Sequence, residues 1–164
     1  GIWSFFIDFT KEQAPELSER TVALLLSASL AMLMIGRFSG AFIQQRIAPT
    51  RLLAIYAVAN MLLCGLAATI HGELAVGALW LTSFFMSIMF PTIFALGVRD
   101  LSDETENGSS FLIMSIIGGA LIPPAMGLVS DQFGGMRPMM VIPMLCFGVV
   151  LAFALWATKA ERAR

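Results

Sequence analysis

Apolar residues run along this chain in long blocks, and polar residues gather in the short gaps between them. A helix on the surface of a water-soluble domain would return a polar residue every three or four positions. Here the polar groups are stacked at the block ends instead. Crossing the hydrocarbon of a bilayer takes about 20 mostly apolar helical residues. Five blocks reach that length: Val22 to Ile43, Leu52 to Ile70, Leu74 to Val98, Phe111 to Val129 and Met139 to Thr158. Each is predicted to be a transmembrane helix, with 159–164 as a polar tail. The opening stretch "GIWSFFIDF", Gly1 to Phe9, is also apolar but reaches only about 13 Å at the usual helical rise. It reads as the end of a helix whose start lies upstream. Neither a basic start nor a small-residue cleavage site precedes the first block, so an interior cut in a longer chain is expected.

Composition makes lipid the main solvent. Of the 164 residues, 58% are hydrophobic and 13% charged, against roughly a quarter charged in a soluble domain. Mean hydropathy is +0.84. A net charge of −1 excludes the basic field that nucleic-acid binding requires. Cys64 and Cys146 both fall inside apolar blocks, where a thiol behaves as a small hydrophobe, and no disulfide is predicted. If the connections alternate between two sides, one side holds Arg46, Arg51, Arg99, Lys159, Arg162 and Arg164, and the other only Lys11, Arg20 and Arg137. Basic residues mark the cytoplasmic side, which predicts a cytoplasmic C-terminus.

The connections are short, as between antiparallel neighbours in a bundle. Ala48-Pro49-Thr50 and His71-Gly72-Glu73 read as tight turns. The longest, "RDLSDETENGSS" from Arg99 to Ser110, carries a turn signal at Asn107-Gly108 and a helix cap at Ser109-Ser110.

Several residues inside the blocks break the apolar rule. Pro91 has no N–H to give the carbonyl of Ser87, so a bend is expected, with Ser87 and Thr92 available to satisfy the freed group. The bend is either a fixed kink or part of a flexing, cavity-lining helix. At helical spacing Ser83, Ser87, Phe90 and Phe94 form one face of hydroxyls and rings, which suits a neutral, hydroxyl-bearing ligand such as a sugar. Gly118-Gly119 followed by Pro123-Pro124 predicts a helix that is tightly packed, distorted, or both. Arg37 is the clear charge within a span. At a helix centre it would cost about 2.5–3.5 kcal/mol, so it is expected to snorkel to the surface, to form a structural ion pair that gates the cytoplasmic side, or to touch a ligand. Asp8 reads as an interfacial carboxylate, Asn60 as an interhelical hydrogen-bonding group, and His71 as a polar turn residue.

No zinc-ligand spacing, phosphate loop or nucleophile–base set is present. No enzyme activity, metal or cofactor is therefore expected. The five blocks contain no carboxylate, so an acid that carries protons would have to lie elsewhere.

The segments "FFMSIMFPTIFALGVRDL" and "NGSSFLIMSIIGGALIPPAMGLVSD", with "IGRFSG" at Ile35 to Gly40, resemble the fucose:proton symporter family of the major facilitator superfamily, which carries fucose, glucose or galactose, and N-acetylglucosamine. The similarity runs from "WSFFI" at Trp3 to the last block. It implies an all-α, polytopic membrane fold in which residues 1–164 form the C-terminal six-helix half, from the truncated seventh helix to the twelfth. It further implies a partner half across a central cavity, with the Arg37 and Pro91 helices lining that cavity and the Leu52–Ile70 and Met139–Thr158 helices peripheral. The family's proton-coupling acids belong to the other half, in agreement with the carboxylate-free blocks. The family's fucose carriers have a cavity tyrosine where this chain has Phe90, and an aromatic residue where it has Leu33. Both departures point away from fucose itself. The resulting expectation is sugar:proton symport in the inner membrane. Phe90, Ser83, Ser87, Leu33, Trp3 and Ser4 would contact the sugar, and Arg37, Pro91, Gly118, Gly119, Pro123 and Pro124 would shape or gate the path. The alternatives are a facilitator for a non-sugar solute and a non-transporting six-helix scaffold.

Overall fold

The computed structural model describes residues 1–99, 113–114 and 117–162. The turn expected at Asn107-Gly108, the cap at Ser109-Ser110 and the start of the fourth block at Phe111 lie outside these residues.

The chain opens in tight turns, with the Ser4 N–H donating to the Gly1 carbonyl at 3.1 Å. Helix α1 then runs Phe6–Gln13. It continues past the expected end at Phe9 through Thr10, whose hydroxyl donates to the Phe6 carbonyl at 2.7 Å, to Gln13. Helix α2, Glu19–Gln44, starts at a Ser18 cap whose hydroxyl accepts from the Thr21 N–H at 3.2 Å. Helix α3, Pro49–Thr69, takes Pro49 in its first turn, where the missing N–H has no intrahelical partner to lose. Gly72, at φ 74°, turns the chain into the next helix in a conformation that favours glycine.

The third block departs from expectation. It is not one helix but two, α4 over Glu73–Met86 and α5 over Met89–Val98, with a break at Ser87 and Ile88. Helix α6, Gly118–Phe133, contains Pro123 and Pro124 yet stays helical to Phe133. It ends at Gly134 with φ 67°, where the Gly135 N–H reaches the Ser130 carbonyl at 3.1 Å. A short 3-10 turn, Pro138–Met140, leads into α7, Val141–Arg162. That helix absorbs the expected tail from Lys159 to Arg162, since these residues are good helix formers.

Among the described residues, four helical stretches are long and apolar enough to cross a membrane: Glu19–Gln44, Pro49–Thr69, Glu73–Val98 and Pro138–Glu161. Helix α3 packs mainly on α7 and α4, and α2 on α4. Between α3 and α4 the Tyr56 and Phe85 rings meet edge to face at 5.1 Å. The core joins Phe6, Phe9, Leu53, Leu79, Met126 and Met139, all fully buried. Outward the helices show Phe38, Phe42, Leu62, Leu145 and Trp156, an apolar surface that lipid or another apolar body must cover.

Polar contacts group the helix ends into two sets. At one end Glu161 receives Arg99 Nη1 at 2.6 Å and the Thr50 hydroxyl at 2.8 Å, joining α5, α3 and α7. At the other, the Glu12 carboxylate accepts from the Met136 N–H at 2.9 and 3.0 Å, and Arg137 Nη1 meets His71 Nε2 at 2.6 Å. His71 is thus more than a turn residue: it links two connections. Lys11 Nζ pairs with Glu19 at 2.8 Å in the same set, and that hydrogen bond holds the exposed ammonium above its usual range. The two sets are the ones that alternating connections require.

Candidate functional site

The α4–α5 break is the centre of the polar features. A proline in the third position of α5 leaves the Ser87 carbonyl without its helical donor. The preceding turn tightens, with the Ser87 N–H on the Phe84 carbonyl at 3.3 Å, and α5 restarts with the Thr92 N–H on the Ile88 carbonyl at 3.0 Å. The freed Ser87 carbonyl accepts from Arg37 Nε on α2 at 3.3 Å. The expected local rescue by Ser87 and Thr92 is therefore replaced by a tertiary one. Among the described residues Arg37, itself exposed, gives a hydrogen bond to a backbone carbonyl across a helix interface.

Two glycines allow that approach. A Cβ on Gly36 would lie 2.5 Å from the Phe84 carbonyl oxygen and 2.6 Å from Ser87 Oγ, and one on Gly40 would collide with Ile88 Cγ2. Gly36-x-x-x-Gly40 is thus a small-residue face against which the break is seated. One turn further on, Gln44 Nε2 donates to Thr92 Oγ1 at 2.7 Å. The spacing signal for this interface is present in the sequence within "IGRFSG", where it passes as part of a family motif rather than as a packing face.

Beside these contacts lies an open groove of about 570 Å³ lined by Arg37, Ala41, Gln44, Phe90, Pro91, Ala95 and Arg99, among others. Phe90 is 56% exposed, and its ring stands 6.2 Å from that of Phe94. Ser83 and Ser87 are not beside it. They are 0% and 1% exposed, because the break ends the helical register that would have put all four residues on one face. Ser83 is instead the hub of a buried relay, accepting from Trp3 Nε1 at 3.1 Å and lying 3.1 Å from Ser29 Oγ on α2. The structure thus brings Trp3 and Ser83 together, adds Ser29, which the sequence does not single out, and leaves Ser4 exposed and Leu33 half-buried.

Gly118 and Gly119 do not serve close packing among the described residues. A Cβ on either meets nothing within 4 Å, and both border an open groove of about 240 Å³ with Ile122 and Phe147. Asn60 is interhelical as expected, its Nδ2 reaching Met89 Sδ at 3.8 Å, but among the described residues its buried Oδ1 has no partner, and neither has Ser87 Oγ.

No family model matches the chain. The L-fucose-proton symporter of Escherichia coli (strain K12) is 42% identical to it over 152 residues, 93% of this chain and 35% of that protein. A putative glucose/galactose transporter of Helicobacter pylori (strain J99 / ATCC 700824) is 41% identical over 132 residues, 78% of this chain and 32% of its own length. The crystal structure of a Major Facilitator Superfamily transporter, FucP, in the outward conformation superposes with a TM-score of 0.93 at 41% identity, covering 95% of this chain and 38% of that one. The chain has the fold of a major facilitator superfamily transporter. It spans about a third of the length of the curated relatives it matches. Within this fold the groove, the Arg37 clasp and the Trp3–Ser83–Ser29 relay lie on α2, the α4–α5 pair and the opening segment, with Pro49 of α3 at the groove's edge.

Proposed function

We propose that this chain is the C-terminal six-helix unit of an inner-membrane carrier that moves a sugar together with a proton by alternating access, its C-terminus in the cytoplasm. The observation that carries the reading is the 42% identity to the L-fucose-proton symporter of Escherichia coli, spread over 93% of the chain. The site chemistry supports it. The exposed Phe90 ring, next to Phe94, offers a flat apolar face for the C–H side of a sugar. Trp3, its N–H already engaged by Ser83, offers a second ring. Leu33 and Ser4 complete the substrate-facing set, and Ser83 and Ser87 act from behind it. Pro91 and Arg37 shape the moving helix, and Gly118, Gly119, Pro123 and Pro124 face the partner half. That half carries the proton-binding acids, since the membrane blocks here hold none. The unit would rock against its partner with sugar and proton bound between them.

The experiment is uptake of a labelled sugar by the intact carrier in cells, with fucose, glucose, galactose, N-acetylglucosamine and an organic anion as competitors. Inhibition by at least one neutral sugar supports the reading. Inhibition by the anion alone would replace it with a carrier for a charged solute.

A further inference from the structure

We propose that the Ser87–Ile88 break is a hinge and that Arg37 is the positioning residue that holds it, by supplying from α2 the donor that Pro91 denies to the Ser87 carbonyl. What the movement is for rests on the carrier reading above; the hinge itself does not.

The α4–α5 pair has no continuous backbone ladder at the break, because Pro91 offers no N–H and Ile88 gives α5 no side-chain cap. The connection between the two helices is therefore held from outside. Arg37 Nε takes the freed carbonyl at 3.3 Å, and Gln44 Nε2 takes the Thr92 hydroxyl at 2.7 Å, both from α2. Gly36 and Gly40 leave the space into which Ser87 and Ile88 seat. On the same joint, among the described residues, Ser87 Oγ is buried without a partner, and so is the Oδ1 of Asn60, whose Nδ2 lies 3.8 Å from Met89 Sδ. Unsatisfied polar atoms on both sides of a joint are costly in one fixed packing. They are what a joint with a second arrangement, in which these atoms find partners, would leave in the first. Arg37 borders the open groove beside α5, so α5 can swing away from α2 once the clasp is undone.

The test uses the intact carrier in membrane vesicles without sugar, its native cysteines replaced and Ala95→Cys placed on α5 in the groove. The readout is the labelling rate by a water-soluble maleimide. Arg37→Met removes the donor and should raise the rate about ten- to hundredfold, the range for losing a hydrogen bond from a charged group. Pro91→Ala supplies an N–H for the Ser87 carbonyl, so in that background Arg37→Met should change the rate less than about twofold. Thr92→Val, which unties Gln44, should raise it several-fold and serves where Arg37→Met does not accumulate. An equal effect of Arg37→Met in both backgrounds would mean that Arg37 acts on some other group. An unchanged rate in Arg37→Met, or in Thr92→Val where it stands in, would mean that there is no hinge. Either overturns the proposal. Labelling that follows the prediction in a protein that takes up no sugar would leave the hinge standing and remove the carrier reading.

Discussion

Replacing Gly36 by alanine tests the close seating of the α4–α5 break against α2. The added methyl would stand 2.5 Å from the Phe84 carbonyl oxygen and 2.6 Å from Ser87 Oγ, where an unstrained carbon–oxygen contact needs about 3.3 Å or more. The Ser87 hydroxyl can turn away. The Phe84 carbonyl cannot, because it belongs to the helix backbone and accepts from the Ser87 N–H at 3.3 Å. Helix α2 must therefore retreat by nearly an ångström, which lengthens the Arg37–Ser87 bond beside it beyond useful range. Overpacking of this kind costs about 1–3 kcal/mol. The assay is the melting temperature of the purified carrier in detergent, with Gly65→Ala as reference. At Gly65 the new methyl would meet only Met144 Sδ at 3.8 Å, an ordinary contact, and better helix propensity should leave stability level or raise it by up to about 1 kcal/mol. Gly36→Ala should melt clearly below Gly65→Ala. Equal melting of the two would show that α2 and the break are not in the contact described.

Three further outcomes follow from the same geometry. Ser83→Ala strands the Trp3 N–H and the Ser29 hydroxyl, a cost of about 1–3 kcal/mol, and should shift Trp3 fluorescence and raise the apparent KM for sugar; an unchanged spectrum, measured with Trp80 and Trp156 replaced by Phe, would remove the relay. Phe90→Ala should raise KM roughly tenfold, the effect of losing about 1–1.5 kcal/mol of ring contact, while membrane insertion, followed by quantitative blotting, stays normal because the ring is 56% exposed. Glu161→Gln loosens the Arg99 pair in an exposed setting and should cost no more than about 1 kcal/mol; a melting point that falls by much more would make that pair a structural keystone.

The membrane class was legible because hydropathy over about 20 residues reports the solvent directly. Pro91 was legible too, since a missing N–H is a local fact. What answers it was not. Arg37 stands 50 positions from Ser87 in the chain, and no local pattern pairs a cation with one particular carbonyl. The serine face failed for a related reason: spacing puts Ser83 and Phe90 on one side only along an unbroken helix, and the break that Pro91 announces resets the register. The Gly36 and Gly40 spacing is readable, but spacing alone does not say which helix seats against it. For Gly118 and Gly119 the chemistry of glycine allows close packing without requiring it, and only the arrangement of neighbours distinguishes a tight interface from an open groove.

Sugar-induced proton movement tests the central claim most directly. Cells that express the intact carrier, de-energised in weakly buffered medium, would receive a pulse of each candidate sugar while external pH is recorded. The account predicts a transient alkalinisation with at least one neutral sugar, abolished by a protonophore. Accumulation of that sugar without any pH change, and only in the presence of sodium, would contradict it.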